Sequence, residues 1–392
     1  MLREVQNKIP TLKIGGHLLS SPLVLSPLAG YTNLPFRILI REIGGVGLCT
    51  TDLVNARSLI ERNPKALRLI RSCEKDRPLA IQLFGSVAHE MAEAARICED
   101  AGAFSVDINM GCPVRKVCQV GGGSAMMREH QHTAKIVREM IRAVKIPVTA
   151  KMRLGWDEDN ITAPDLARVL RDEGIAAITV HGRTRSQGFG GKVNLSGIRQ
   201  VVEAVPEIPV IGNGDVTTPL LAEKMWQATG CAGIGIGRGA FYNPWIFLDT
   251  LHYIKSGELR PEVSFEERVR VMRRHLDLMV EVFGEELGCK MFRKIGPWYA
   301  RRFGPCSVFN KAIVQLHSRR HFEEILGEYI AWRSQFLDEN GELLPRYKPA
   351  EFEDTLVEDN ADSTDKTEVA SQNLANAGRR TIPVPKGPVE VW

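Results

Sequence analysis

The chain has 392 residues, of which 44% are hydrophobic and 25% are charged, and its formal net charge is +4. This composition is typical of a globular protein, and the length allows one large domain and a smaller one. No apolar run approaches the ~20 residues that cross a bilayer, and the N-terminus lacks the apolar core of a secretory signal. We therefore expect a cytoplasmic protein with no membrane contact.

The cysteines give little support for a metal site. The chain has eight, and none of them forms a C-x-x-C pair of the kind that zinc and iron–sulfur sites commonly use. A large cytoplasmic chain also disfavours structural disulfides. We expect no bound metal and expect most of these cysteines to be small buried residues.

Short β-rich runs recur along the first two thirds of the chain, and segments with helical periodicity separate them. The runs are 23–30, 44–52, 78–85, 103–111, 146–155, 176–183, 208–215 and 231–239. They are nearly continuous apolar stretches, which is typical of strands covered on both faces. Eight β-then-α units predict a (β/α)8 TIM barrel over residues 1–250. An open doubly wound sheet is the alternative, but the first strand ends in SPLAGYTNLPF without a glycine fingerprint.

After the barrel the pattern changes to helices, which predicts a smaller all-α domain over residues 262–340. Residues 290–335 carry nine Lys or Arg against three acids, together with Trp298, Tyr299, Phe303 and Phe309. A basic, aromatic helical surface suits RNA, because Lys and Arg neutralise phosphates without reading sequence. A solvated basic face is the alternative.

The last segment, residues 346–392, begins with a polar and acidic composition. Such a composition cannot bury enough apolar surface to fold alone. We predict a disordered C-terminal tail.

In a (β/α)8 barrel the chemistry lies at the C-terminal ends of the strands. Here those positions carry Pro27, Leu28, Ala29, Gln82, Asn109, Cys112, Lys151, Arg153, His181, Arg183, Asn213, Gly214, Asp215, Gly235, Gly237 and Arg238. Gln82 and His181 each have a structural reading, as a partner for backbone groups and as a hydrogen-bonded core histidine. Lys151 is different, because burying an unpaired ammonium is costly. It is predicted to face an anion, with a structural ion pair as the alternative.

The glycines near the last strand predict a phosphate site. A lone G-x-G-x-x-G is weak support for a dinucleotide fold, and here the surrounding βαβ unit with its acidic partner is missing. Backbone amides of Gly237 and Arg238, with the GNGD turn as a second arm, instead suit a phosphate at strands seven and eight, where this fold usually binds one. Two ordinary βα turns are the alternative. With Gln82 on the ring edge and Lys151 near its N1–C2 edge, flavin mononucleotide (FMN) fits the mouth.

Several motifs, taken together and in this order, resemble those of the bacterial-type tRNA-dihydrouridine synthases. They are LSPLAGYTNLPFR, QLFG, DINMGCPVRKV, GGGSAMM, KMRLGW, TVHGRTRSQGF, GNGD and GIGRGAFYNPW. The resemblance runs from about residue 13 to 335 and implies a barrel with bound FMN followed by a helical domain that binds tRNA. One segment departs from it: after QGF many members have S-G-x-A-[DN]-W, whereas this chain has GGKVNLSGI, which keeps Lys192 and lacks the tryptophan.

The resemblance also implies roles at matching positions. Cys112 would be the catalytic acid, Asn109 would lie against the target uracil, and Arg183 would lie near the RNA-facing side. The residues implied to contact FMN are Pro27, Leu28 and Ala29 on the ring, Gln82, Lys151 and His181 at the ring and ribityl chain, and Asn213, Gly214, Asp215, Gly237 and Arg238 at the ribityl chain and phosphate.

The implied reaction reduces the C5–C6 double bond of specific tRNA uridines to 5,6-dihydrouridine. The uracil would accept a hydride at C6 from reduced FMN and a proton at C5 from Cys112, whose ordinary pKa of ~8.5 keeps a thiol mostly protonated near neutrality. The base must first be flipped out of the folded tRNA. NADPH or NADH as the reductant is implied by the family alone.

Three other functions share parts of this pattern. An FMN-dependent TIM-barrel oxidoreductase of a small molecule, similar to dihydroorotate dehydrogenase, would share the cofactor and phosphate site without needing a basic helical domain. A non-catalytic RNA-binding barrel would not need Cys112 and Lys151. A metal-free lyase would use Lys151 as a Schiff base and bind no flavin.

Overall fold

The computed structural model describes residues 10–358, 381–382 and 384, and its centre is a closed barrel of eight parallel strands. We number these strands in chain order as β1 Leu23–Leu25, β2 Leu48–Thr50, β3 Leu79–Phe84, β4 Ser105–Met110, β5 Val148–Arg153, β6 Ala177–His181, β7 Val210–Asn213 and β8 Gly233–Ile236. Each strand pairs with the next one in the chain, and β8 pairs with β1. The predicted (β/α)8 barrel is therefore confirmed.

Helices connect the barrel strands and cover them from outside. They span Leu34–Ile43, Ala56–Ile60, Pro64–Leu69, Ala88–Asp100, Arg115–Gln119, His130–Ala143, Ala163–Asp172, Leu195–Ala204, Pro219–Thr229, Arg238–Tyr242 and Ile246–Ser256, with 3-10 turns at Glu74–Asp76 and Gly123–Arg128 and two-residue strands at Lys13–Ile14, His17–Leu18 and Val54–Asn55. Several helices begin at a side chain that accepts a hydrogen bond from the first turn, as Asn33, Asn194 and Thr218 do. Burial between helices and barrel interior explains the nearly continuous apolar strands.

A smaller helical region follows the barrel, as predicted. Its helices span Phe265–Phe283, Glu285–Phe292, Gly296–Ala300, Ser307–Ile313 and Arg319–Arg333, with 3-10 turns at Ser334–Phe336 and Pro345–Tyr347. The Phe36 ring of the first barrel helix stacks on Phe241 with centroids 4.0 Å apart and lies 5.4 Å from the His275 ring of the helical region. This shared aromatic contact joins the helical region to one side of the barrel. No helix in the described ranges is both long and apolar enough to span a bilayer.

The beginning of the predicted disordered tail is structured. Glu351–Phe352 pairs with Thr381–Ile382, and Leu356–Val357 pairs with Val193–Asn194 in the loop after β6. The structure differs from the prediction here because Leu356, only 2% exposed, is buried against the barrel, and barrel cations pair with the acidic residues beside it. The rest of the predicted tail, 359–380, 383 and 385–392, lies outside the described residues.

Candidate active site

A cavity of about 570 Å³ opens at the C-terminal ends of the barrel strands, a size suited to a cofactor or a small ligand. Thirteen of the fourteen predicted site residues line it, namely Pro27, Leu28, Ala29, Gln82, Asn109, Cys112, Lys151, His181, Asn213, Gly214, Asp215, Gly237 and Arg238. They meet because the carboxyl ends of parallel strands lie at the same rim of the barrel. Arg183 is the predicted residue that does not line this cavity.

A chain of hydrogen bonds orders the side chains on β3 and β4. Asp107 accepts from the Gln82 Nε2 at 2.7 Å and from the Thr149 hydroxyl at 2.7 Å. Because the amide nitrogen of Gln82 faces this carboxylate, its Oε1 accepts from Asn109 Nδ2 at 2.8 Å. The Asn109 Oδ1 in turn accepts from the backbone N–H of Cys112 at 2.9 Å. Asp107 therefore sets the donor and acceptor order of both cavity amides.

The loop that carries Cys112 is fixed through its own backbone. The Cys112 carbonyl accepts from the Ser124 N–H at 3.1 Å and from its hydroxyl at 2.7 Å. Gly123 permits this closure, because its φ is +59° and a Cβ there would lie 2.7 Å from the Cys112 carbonyl oxygen. The half-buried thiol has its pKa raised, mainly by burial, although Val114 N–H, Arg153 and Lys151 oppose the shift. The thiol therefore holds its proton at neutral pH.

Lys151 lies on β5 beside this amide chain, in register with Asn109 of β4. Its Nζ donates to Asn213 Oδ1 at 3.0 Å, and Asn213 Nδ2 donates to the Gly235 carbonyl at 2.7 Å. Burial and the nearby Arg153 lower the pKa of Lys151 to about 8, against the opposite effect of Asp107. Burial and the charges of Arg153 and Lys151 hold the pKa of His181 well below its usual value, so this imidazole is neutral.

A cationic corner lies at the ends of β6, β7 and β8. Asp215 pairs with both Arg183, at 2.6 Å, and Arg238, and its side chain is 3% exposed. Burial raises the pKa of Asp215, but the two arginines outweigh it and leave the pKa below its ordinary value. One carboxylate between two guanidinium groups leaves this corner with a net positive charge. Of the two arginines, Arg238 lines the cavity and Arg183 does not.

Arg183, which was implied to lie near the RNA-facing side, is enclosed by the loop after β6. Its side chain is 1% exposed, and its guanidinium donates to the Gly190 carbonyl at 2.8 Å and the Gly191 carbonyl at 2.6 Å as well as to Asp215. These contacts hold the loop after β6 against the end of β7.

Other cavity residues did not stand out as site residues in the sequence. The Phe189 ring lies within cation–π distance of two guanidinium groups, those of Arg153 at 5.3 Å and Arg238 at 5.5 Å. Tyr31 and Trp298 also line the cavity, with ring centroids 5.8 Å apart. The sequence could have indicated Arg153 as a cavity residue, because it is a charged residue at the end of a strand. The position of Trp298, by contrast, depends on how the helical region packs.

The helical region uses many of its basic and aromatic residues internally. Tyr299, Phe303 and Phe309 are buried, whereas Trp298 lies at the cavity. Several arginines are also engaged: Arg302 pairs with Glu262, Arg319 with Asp277 and Glu323, Arg320 with Glu324, and Arg333 is buried over the Phe265 ring. On the side of the mouth, exposed Lys294 lies 5.9 Å from the Tyr31 ring, and exposed Arg301 lies 5.7 Å from the Trp298 ring.

No group of three or more His, Cys, Asp or Glu suited to holding a metal ion occurs among the residues that the structure describes.

Comparison with known proteins identifies the family. The family model described as "Dihydrouridine synthase (Dus)" matches residues 24–333. A "Probable tRNA-dihydrouridine synthase" of Rickettsia prowazekii is 39% identical over 319 residues, which are 81% of this chain and 97% of that protein. A "tRNA-dihydrouridine synthase B" of Xanthomonas campestris is 38% identical over 303 residues, 77% of this chain and 90% of that protein.

A solved structure supports the fold alone. Histamine dehydrogenase from Rhizobium sp. 4-9 matches with a TM-score of 0.50 and 14% identity, over 69% of this chain and 51% of that one. This chain thus spans about half the length of that enzyme. The family model covers most of the chain, and relatives are matched over nearly their whole length. The chain belongs to the dihydrouridine synthase (Dus) family.

Proposed function

We propose that the protein reduces the C5–C6 double bond of uridines in tRNA to 5,6-dihydrouridine, with FMN in the barrel cavity and Cys112 as the acid. The observation that carries this proposal is the meeting of a protonated thiol, two ordered amides and buried cations in one cavity. The names of the relatives, which are tRNA-dihydrouridine synthases, support the choice of tRNA uridine as the substrate.

The cavity residues fit FMN. Pro27, Leu28 and Ala29 give an apolar wall for a flat ring, and Gln82 offers an amide at the ring edge. The cationic corner around Arg238 suits the phosphate, and the buried ammonium of Lys151 would face the part of the ring that gains negative charge. When bound, FMN would supply the hydride that the uracil accepts at C6.

Cys112 holds the proton that C5 of the uracil needs. Its Sγ is protonated because burial raises its pKa, and the bonds of its backbone to Asn109 and Ser124 fix where the thiol points. This explains why a cysteine stands in the turn after β4. A thiol is small, keeps its proton at neutral pH and, once ionised, is accommodated beside Arg153 and Lys151.

The side of the mouth formed by the helical region suits a nucleic acid. Trp298 and Tyr31 offer aromatic faces at the cavity, while Lys294 and Arg301 place cations beside them. Aromatic faces stack on unpaired bases, and cations neutralise phosphates. A flipped uridine would enter here, and NADPH or NADH would supply the electrons.

The proposal is tested on tRNA that lacks dihydrouridine, prepared from a strain without such an enzyme. The purified protein with NADPH should convert uridine to dihydrouridine, detected by mass mapping. Cys112→Ala should lower the rate at least about 100-fold, the loss expected for a general acid, and should still bind FMN. Cys118→Ala is the matched control, because this neighbouring thiol makes only long contacts in the same loop, to the Cys112 carbonyl at 3.5 Å and to the Ser124 hydroxyl at 3.7 Å.

Other results would contradict the proposal. If the purified protein takes up no FMN, FMN is not its cofactor. If Cys112→Ala keeps full activity, Cys112 is not the acid. Reduction of a free pyrimidine or other small molecule, without any reaction on tRNA, would favour the small-molecule oxidoreductase.

A further inference from the structure

Residues 351–358 form a segment that we call the C-terminal strap. It lies beyond the family match, which ends at residue 333. The strap runs along the segments that follow β6, β7 and β8, the three strand ends that form the cationic corner. A role for it therefore has to be argued from its contacts.

The first contact joins the strap to the loop after β6. The Val193 N–H donates to the Thr355 carbonyl at 2.7 Å, and Val193 and Leu356 face each other in a parallel pair. Lys224 reinforces this from the helix after β7, donating to the Leu356 carbonyl at 2.9 Å and pairing with Asp354 at 2.5 Å. Arg199 pairs with Glu358 at 2.6 Å. Backbone and charge together hold the strap in one register.

The second contact reaches the cationic corner itself. The Thr355 hydroxyl donates to Asp215 Oδ2 at 3.0 Å, the same oxygen that accepts from Arg183 Nη2 at 2.6 Å. The other oxygen, Oδ1, accepts from Arg238. Asp215 is held in the left-handed region, with φ of +40°, so its position depends on these side-chain partners.

The third contact is with the short helix Arg238–Tyr242, which follows β8. The Phe352 ring packs on Tyr242 with centroids 4.4 Å apart, and Tyr242 ends the short helix that begins at Arg238. The Tyr242 ring also contacts the Trp298 ring, with centroids 4.9 Å apart. The strap therefore touches all three segments from which the corner is built.

We propose that Thr355 is a positioning residue that holds Asp215 against Arg183 and Arg238 so that the corner can bind the phosphate of FMN. This inference rests on the proposed function. A carboxylate free to turn toward the cavity would repel a phosphate and would draw Arg238 away from it. The hydroxyl gives Oδ2 a second donor and keeps the carboxylate facing the arginines.

The test compares two ligands that differ only in the phosphate. Thr355→Val removes the hydroxyl with little change of shape, and Thr355→Ser keeps a hydroxyl as the matched control. Dissociation constants for FMN and for riboflavin are measured by fluorescence titration of the full-length protein after the flavin has been removed. We expect Thr355→Val to weaken FMN binding about tenfold and to leave riboflavin binding within about twofold of wild type. Thr355→Ser should restore most of the FMN affinity.

A double variant tests whether Thr355 acts through Asp215. In an Asp215→Asn background, Thr355→Val should cause no further loss of FMN affinity, because the two changes remove one interaction.

Each alternative outcome is decisive. The role of Thr355 would be overturned if Thr355→Val lowered the affinities for FMN and riboflavin equally or lowered neither. It would also be overturned if the losses of FMN affinity were fully additive in the double variant. The proposed function would remain intact in each case. A wild-type protein that binds neither flavin would instead overturn the proposed function, and this inference with it.

Discussion

The barrel mouth and the helical region place their polar and aromatic residues in opposite ways. At the mouth, residues far apart in the chain, such as Gln82 and Asp215, converge on one cavity. In the helical region, residues close together in the chain diverge: Trp298 lines the cavity while Tyr299, beside it, is buried and contacts His275 at 3.0 Å. Convergence in one region and divergence in the other have different physical origins.

The difference shows what the topology fixes. In a closed parallel barrel, the carboxyl end of every strand lies on the same rim, so a polar residue there lies at the mouth of the barrel. A residue on a helix can face the core, a neighbouring helix or solvent, and the sequence pattern alone decides this only where the periodicity is clear. Four experiments test this contrast.

Phe303→Ala should give the largest effect. The ring is fully buried against Tyr329, at 6.0 Å, and Phe265, at 5.1 Å, so its loss should lower the free energy of unfolding by about 3–5 kcal/mol. Urea unfolding measures this, and Phe303→Leu, which keeps most of the volume, should cost much less. Unchanged stability with weakened tRNA binding would mean that this ring faces RNA, as its sequence context suggests.

Raising the pH should weaken FMN binding through Lys151. The pKa of about 8 means that the ammonium is mostly present at pH 7 and mostly lost at pH 9, while a phosphate with a second pKa of about 6 stays a dianion throughout. The dissociation constant of FMN should therefore rise about tenfold between pH 7 and pH 9. Lys151→Met should bind FMN weakly at both values. The same rise in that variant would assign the titration to another group.

Trp298→Ala should raise the KM for tRNA about tenfold, because one base-stacking face contributes about 1–3 kcal/mol. FMN affinity should hardly change, since the cationic corner and the amide chain are built from barrel residues. Trp298→Phe retains an aromatic face and should behave closer to wild type. Steady-state kinetics on unmodified tRNA separates these outcomes, and an unchanged KM in the alanine variant would place the tRNA elsewhere.

Lys294→Gln should give the smallest effect. One phosphate contact fewer should lower the slope of log Kd for tRNA against log salt by about 1 and weaken binding only a few-fold near physiological salt. Filter binding over a range of salt concentrations measures it. Arg320→Gln is the control, because this exposed arginine pairs with Glu324 on its own helix. Equal slopes for both variants would show that the basic residues near the mouth do not contact RNA.

The sequence predicts the barrel and thirteen cavity residues because strand ends and apolar runs are local signals. It does not reveal Asp107, which lies within β4 and controls Gln82 only through the pairing of β3 with β4. The partners of Arg183 could not be predicted for a similar reason, since they lie in a loop and at the end of another strand. The strap was missed because its acidic composition signals disorder, whereas barrel cations compensate those charges.

The bond between Thr355 and Asp215 spans 140 residues of sequence. A chain made from its N-terminus completes every barrel strand long before position 355 leaves the ribosome. The last donor to Asp215 is thus added after the barrel itself has been synthesised, and a message truncated between codons 334 and 354 would yield a protein with all eight barrel strands and the helices up to Arg333 but without this bond.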